Sequence, residues 1–246
     1  INRVTAITPG ALTALLLLSD EHRSVSHEQL LQQGQRLLRV LISMNARISP
    51  RSVSNPGVLS EDAITHATQM FVEAELLETY RPGEFSESAG PNALRFGAGA
   101  VYRVPERKRI ELDVSKNLIV HFFAERALLS IALLKPDGDD GMDAQSARDR
   151  MAKLAELFKH EFRYQTDKDY DALFDITLTG MQLAGELQLS PSGRIQVGGG
   201  HDGLSGSAWL GVYAAIVRNF IESYRVAARG LTTLLRGPLA EKDVLK

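Results

Sequence analysis

The chain has 246 residues, 44% apolar and 24% charged, with a net charge of −2. This composition suits a globular chain with a substantial core and excludes a global electrostatic pull toward nucleic acid or anionic lipid. Cysteine is absent, which excludes disulfides, thiolate zinc sites and cysteine nucleophiles.

The first residue is Ile1, and within ten residues the chain enters the apolar run "ALTALLLL". That run is too short to span a membrane, and it lacks the charged lead and cleavage site of a signal peptide. From Leu15 to Gln33, "LLLLSDEHRSVSHEQLLQQ" reads as an apolar helix, a polar turn and a new helix start. Ser26, three residues before Gln29 and with Glu28 in the first turn, marks a capped N-terminus. The helix "LLQQGQRLLRVLISM" follows, then a Ser/Pro loop from Ser49 to Pro56. A third helix, expected over 61–78, runs into the β-like "LLETYR", whose partner is "AVYRVP". Between these strands lies a long loop, roughly Pro82 to Gly97.

The same order then recurs. "ALLSIALLKPDGDDGMDAQSARDRMAKL" (Ala127 to Leu154) repeats the apolar helix, turn and helix start. The helices "ARDRMAKLAELFKHEF" and "YDALFDITLTGMQLAGEL" flank the break "RYQTDKD". "QLSPSGRIQVGG" reads as a hairpin around Ser190 to Gly193. The truncated "TTLLRGPLAEKDVLK" begins the pattern a third time. Helix, helix, helix and two-stranded wing is the order of a winged-helix module. The expected fold is therefore mainly α with short β-hairpins, in tandem winged-helix-like modules. The expected divisions are a first module over 1–113 and a second over 114–205. A long amphipathic helix and the stub of a third module fill 206–246. On this reading the chain is a piece of a larger protein.

Winged helices often read DNA through the third helix. Here those helices carry Glu61, Asp62, Glu73, Glu75 and Glu78 in the first module, and Asp169, Asp171, Asp175 and Glu186 in the second. Phosphate contacts need cations on that surface, so no nucleic-acid partner is expected. The glycine-rich "QVGGGHDGLSGSAWLG" (Gln196 to Gly211) lacks the Lys-Ser/Thr pair of a phosphate-binding loop and reads as a loop after a wing strand. His201-Asp202 within it has no further metal ligands at helical or hairpin spacing. His66 and His121 fall within helix patterns, and His22, His27 and His160 at helix ends or turns. No Gly-x-Ser-x-Gly elbow is present. No catalytic, cofactor-binding or metal-binding residue is assigned.

The last helix, expected from Ala208 to Leu235, carries Arg218, Arg225 and Arg229, with Arg236 just beyond. Spacings of 7, 4 and 7 put the four within about 40° of one another on one helical face. Trp209, Ile216, Phe220, Ala227, Leu231 and Leu234 lie opposite. The four arginines are the candidate membrane or domain interface.

The opening "INRVTAITPGALTALLLLS" resembles the segment after the catalytic domain of the large membrane-bound glycerol-3-phosphate 1-O-acyltransferases. These are the bacterial PlsB-type enzymes and their mitochondrial and dihydroxyacetone-phosphate relatives. "LSEDAITHATQMFVEAELLE" and "VYRVPERKRIELDVSKNLIVHFFAERALLS" continue the resemblance over most of the chain. In the second of these the family has a short strand, a basic-acidic turn, an Asn and an apolar helix.

That family's catalytic signature is a His-x-x-x-x-Asp box, in which the His is general base and the Asp orients it. Five residues after His22, His27, His66, His121, His160 and His201 stand His27, Gln32, Phe71, Arg126, Gln165 and Gly206. None is Asp, so no catalytic residue carries over. The resemblance implies the C-terminal, non-catalytic region of an enzyme that moves a fatty acyl group from acyl-CoA or acyl-carrier protein to position 1 of glycerol 3-phosphate. No cofactor is expected. The implied partners are the catalytic domain of the same protein and an anionic membrane surface. The implied location is the cytoplasmic face of a membrane, the inner membrane in a bacterium. The alternative is a free-standing winged-helix adaptor or regulator.

Overall fold

The apolar run near the start forms α1 (Pro9–Ser19), preceded by β1 (Ala6–Ile7). Every residue of α1 from Ala11 to Ser19 is buried, so it is a core helix. At 11 residues it is only about 16 Å long. No described helix is long and apolar enough to cross a membrane. The computed structural model describes residues 5–19, 24–80, 96–134, 141–162, 169–200, 205–234 and 237.

After α1 come β2 (Ser24–Ser26), α2 (His27–Ser43) and β3 (Arg47–Ile48). Ser26 caps α2 as expected. Its side chain accepts from the Gln29 amide at 3.1 Å, and Gln29 Oε1 accepts from the Ser26 amide at 2.9 Å. The two bonds satisfy two donors that a helix start otherwise leaves open. The expected Ser/Pro loop is more ordered than its composition suggests. It holds a 3₁₀ turn (Pro50–Ser52) and a small hairpin of β4 (Val53–Asn55) and β5 (Val58–Leu59). Gly57 turns that hairpin with φ +79°, a conformation that favours glycine.

Next is α3 (Glu61–Glu73), capped by Ser60 and ending before Glu75 at φ 57°. It is shorter than the 61–78 expected, because the left-handed Glu75 ends the helical hydrogen bonding. β6 (Glu78–Tyr80) and β7 (Val101–Arg103) pair antiparallel, Glu78 opposite Arg103. β2 pairs with the other edge of β7, giving the sheet order β2-β7-β6. Of the long loop between β6 and β7, residues 82–95 lie outside the described residues.

The stretch read as a basic-acidic turn is instead α4 (Arg109–Asn117), followed by α5 (Ala124–Leu133). α6 (Ala144–Leu157) and α7 (Tyr170–Leu183) come next. Most of the break between them, 163–168, lies outside the described residues. β8 (Leu187–Leu189) and β9 (Ile195–Val197) form the expected hairpin, with Gly193 at φ +76° in its turn. Met142 bridges to Ile195 on the free edge of β9.

α8 (Gly206–Ile216) and α9 (Arg218–Leu234) replace the single last helix expected. Val217 separates them. The Ile216 carbonyl, at the end of α8, accepts from the buried Lys116 ammonium of α4 at 3.0 Å. A donor from a distant helix thus meets an orphan carbonyl at the end of α8, and neither partner is readable from local sequence. Trp209 and Ile216 accordingly belong to α8, not to the helix that bears the arginines.

Residues 1–216 cluster as one unit and 217–246 as another. In the first, α1 packs on α2, α3, α4 and α8, while α5 packs on α6, α7 and α8. The core includes Leu12, Leu15, Leu16, Leu37, Phe123, Phe174, Trp209 and Tyr213. Burying each such side chain contributes about 1.5–3 kcal/mol, which is why α1, apolar almost throughout, and α5, buried along most of its length, take central places. The second unit is dominated by α9, whose Arg225, Val226, Ala227, Ala228 and Arg229 are exposed.

Candidate functional site

Three charged side chains lie inside this core where apolar patterning would exclude them. Glu186, between α7 and β8, is 0% exposed, and Arg36 of α2 and Arg126 of α5 are also buried. Their meeting explains how each is tolerated, since a buried charge must be paired and hydrogen-bonded. Glu186 Oε2 accepts from Arg126 Nη1 at 2.6 Å. Its Oε1 accepts from the Tyr213 hydroxyl at 2.8 Å and, more weakly, from Arg36 Nη2 at 3.4 Å. Arg36 Nη2 also donates to the Ala184 carbonyl at 2.8 Å.

Two rings of α8 complete the cluster. The Arg36 guanidinium lies 4.4 Å from the Trp209 ring centre and that of Arg126 5.6 Å from Tyr213. Such cation–π contacts favour a guanidinium that has lost its water. Burial, reinforced by the Glu186 charge, raises the Tyr213 phenol above its usual range, so Tyr213 stays protonated and donates. α2, α5, the α7–β8 connection and α8 are held together here through polar groups.

The glycine-rich stretch supplies the backbone that makes this possible. Gly198 N donates to the Glu186 carbonyl at 2.8 Å, and Gly206 N to the Gly198 carbonyl at 3.2 Å. A Cβ on Gly198 would strike the Gly185 carbonyl, and one on Gly206 would strike the carbonyls of Gly198 and Glu186. The described part of this stretch is therefore a close backbone crossing over Gly185 and Glu186, and glycine is needed for closeness. His201 and Asp202 lie outside the described residues.

The cluster borders open space. A pocket of about 580 Å³ is lined by Arg36, Arg39, Val40, Arg126, Gly180 and Leu183, among others. A second, of about 490 Å³, shares Ser43, Arg126, Gly180 and Leu183 with the first. With its carboxylate oxygens occupied and none of its surface exposed, Glu186 is placed as an anchor for the guanidiniums, not as a base toward a substrate.

A second polar cluster ties the β2-β7-β6 sheet to its helices. Buried His27, the first residue of α2, has Nδ1 3.2 Å from the Tyr102 hydroxyl. That hydroxyl is 3.5 Å from Thr68 Oγ1 and accepts from the Gly97 amide at 3.2 Å. Burial lowers the His27 pKa, partly offset by Glu61, 3.8 Å from Nε2. Burial also lowers His121. His66 and His160 are exposed, and His22 lies outside the described residues. Among the described residues no group of three or more His, Asp or Glu side chains is arranged to hold a metal ion.

Arg218, Arg225 and Arg229 all fall on α9, where spacings of 7 and 4 keep them within about 40° of one another. Glu222 shares the edge of that face. Arg236 lies outside the described residues. The arginines with the most structured surroundings, Arg36 and Arg126, were not singled out by sequence reasoning. The available signal was a lone arginine inside the apolar "AERALLSIALL", which demands a buried counter-charge without saying which one.

Comparison with curated proteins gives no match. The family model of the glycerol-3-phosphate acyltransferase C-terminal region matches residues 1–246, so the chain belongs to that family.

Proposed function

We propose that this chain is the accessory, non-catalytic part of a glycerol-3-phosphate 1-O-acyltransferase and holds the catalytic domain of the same protein against an anionic membrane surface. The whole enzyme transfers a fatty acyl group from acyl-CoA or acyl-carrier protein to glycerol 3-phosphate. The chain by itself carries out no acyl transfer, consistent with a sequence whose six histidines form no His-x-x-x-x-Asp box.

The observation that carries the membrane role is the face of α9. Arg218, Arg225 and Arg229 share it, while Ala227 and Leu231 lie on the other side, Leu231 being 63% exposed. A helix with arginines on one face and exposed apolar side chains on the other suits the boundary of a bilayer. Near an anionic surface each arginine contributes about 1 kcal/mol. Replacing all three with Gln should weaken binding by roughly a hundredfold. The test is binding of wild type and Arg218→Gln/Arg225→Gln/Arg229→Gln to anionic and neutral vesicles, and to the isolated catalytic domain, at low and high salt. Selective, salt-sensitive loss on anionic vesicles supports the reading. A folded triple variant that binds every target as the wild type does refutes it.

The alternative, a winged-helix-type interaction module, draws on a separate observation. α2 and α3, with β3 to β5 between them, are flanked by β2 and by β6 and β7, and β2 pairs with β7, an arrangement that supports a winged-helix reading. Met142, α6, α7, β8 and β9 follow a similar order, with Met142 bridged to β9. The third helices support a protein partner over a nucleic acid, because α3 bears acidic Glu61, Asp62 and Glu73, and Asp171 and Asp175 of α7 face Arg148.

A further inference from the structure

Ile176, Gly180 and Leu183 lie on one face of α7 at helical spacing, beside the arginine cluster. Ile176 is 51% exposed and Leu183 84%. Gly180 sits in the last turn of α7 with no left-handed φ, so backbone conformation does not call for glycine. Relative to alanine it costs the helix about 1 kcal/mol. What its missing side chain opens is space against Arg126. A Cβ at Gly180 would lie 3.1 Å from Arg126 Nη2, whereas Arg126 Nη1 is the nitrogen that holds Glu186 and Tyr213. One edge of the guanidinium is thus anchored at Glu186 and the other lies close against Gly180, and Arg126 and Gly180 both line the two pockets.

The two adjoining pockets differ in character. The larger has Arg36, Arg39 and Arg126 in its wall. The smaller has Met44, Phe122, Leu173, Ile176 and Leu183, with Glu125 and Asp175 among its polar residues. Asp175 is held by Arg148 at 2.8 Å. An anion is attracted to the first and repelled by the carboxylates of the second, while an apolar chain finds cover in the second. Ligand sites commonly combine apolar walls and a few fixed polar groups in volumes of about 300–1,000 Å³. A guanidinium already fixed in place suits a phosphate or carboxylate, because its planar fork is pre-organised.

We propose that this paired pocket binds a single-chain anionic amphiphile, with a phosphate or carboxylate head against Arg126, Arg36 and Arg39 and an apolar chain along Ile176 and Leu183. The inference goes beyond the accessory role and rests on the pocket alone, without α9.

The test is calorimetric titration of the 246-residue chain with dodecyl phosphate below its micelle concentration. Parallel arms use inorganic phosphate, dodecyltrimethylammonium and anionic vesicles. Variants are Gly180→Leu, which fills the opening, Arg39→Gln and Leu183→Glu. Leu183 and Arg39 are exposed, so these two variants keep the fold, and circular dichroism checks all three. The expected result is saturable 1:1 binding of dodecyl phosphate, with inorganic phosphate and the cationic amphiphile at least about tenfold weaker. Each folded variant should weaken dodecyl phosphate binding by about tenfold. The Arg218→Gln/Arg225→Gln/Arg229→Gln chain should bind it as the wild type does, which separates this site from the α9 surface. Any of these outcomes overturns the proposal: no saturable binding, equal binding of the cationic amphiphile, or unchanged binding by folded Leu183→Glu and Arg39→Gln. Binding seen only with vesicles also overturns it.

Discussion

Glu186→Gln isolates what the buried cluster contributes, because it removes one charge and almost no volume. In the native protein this carboxylate has no exposed surface, meets Arg126 at 2.6 Å and Tyr213 at 2.8 Å, and stands 3.4 Å from Arg36. A glutamine can still accept one of these bonds through its carbonyl. Its NH₂ group turns a donor toward other donors, and both guanidiniums lose this counter-charge. Breaking a buried pair from one side costs about 3–5 kcal/mol. For a chain of this length each kcal/mol lowers the melting temperature by about 2–4 °C, so the midpoint should fall by roughly 6–20 °C.

Thermal and urea unfolding followed by circular dichroism reads this directly. Because the pair is buried, the loss should change little between low and high salt. A useful companion is Arg36→Met/Arg126→Met/Glu186→Leu, which removes all three charges together. Well-packed apolar replacements of a buried triad are often neutral or stabilising, so this chain should be more stable than Glu186→Gln. A Glu186→Gln chain within about 1 kcal/mol of wild type would refute the reasoning, since the net cost of an unpaired buried charge exceeds that. So would a loss that disappears at high salt, which would place the cluster in solvent.

Two further outcomes follow from the same structure. Gly206→Ala sets a methyl against the Gly198 and Glu186 carbonyls and should destabilise by about 1–3 kcal/mol, whereas Gly199→Ala, whose Cβ meets nothing within 4 Å, should not; equal effects would contradict the backbone crossing. His27 and His121 have pKa values lowered by burial, so the folded chain binds fewer protons than the unfolded one as pH falls below about 6.5. Their contribution is present above that pH and lost on acidification, with a slope of at most about 1.4 kcal/mol per pH unit per histidine. Unfolding free energy measured from pH 7.5 down to about 5 should therefore decline, and a folded His27→Gln/His121→Gln chain should show a flatter profile; an unchanged slope would remove these histidines as the cause.

Sequence alone determined the local elements whose signals are local. The Ser26 cap works through a residue three positions away, and the β8–β9 hairpin through Gly193 in its turn. The mainly helical course with short antiparallel strand pairs was legible because a 3.6-residue or two-residue apolar period is written along the chain. The arginine spacing of α9 was legible for the same reason. Tertiary structure decided what depends on distant partners. The last helix divides at Val217, where no glycine or proline stands, while Lys116 meets the Ile216 carbonyl from a hundred residues away. The glycines from 198 to 206 suggest looseness in sequence, but Gly198 and Gly206 are there so that backbone can cross backbone. Arg36, Arg126 and Glu186 are separated by 90 and 60 residues (126 − 36 and 186 − 126). Only Arg126 looks out of place in its own segment, and it is the packing of α2, α5 and α8 around one carboxylate that turns three costly burials into a paired cluster. Coulomb energy depends on distance in space, and spacing along the chain carries no record of it across folded elements.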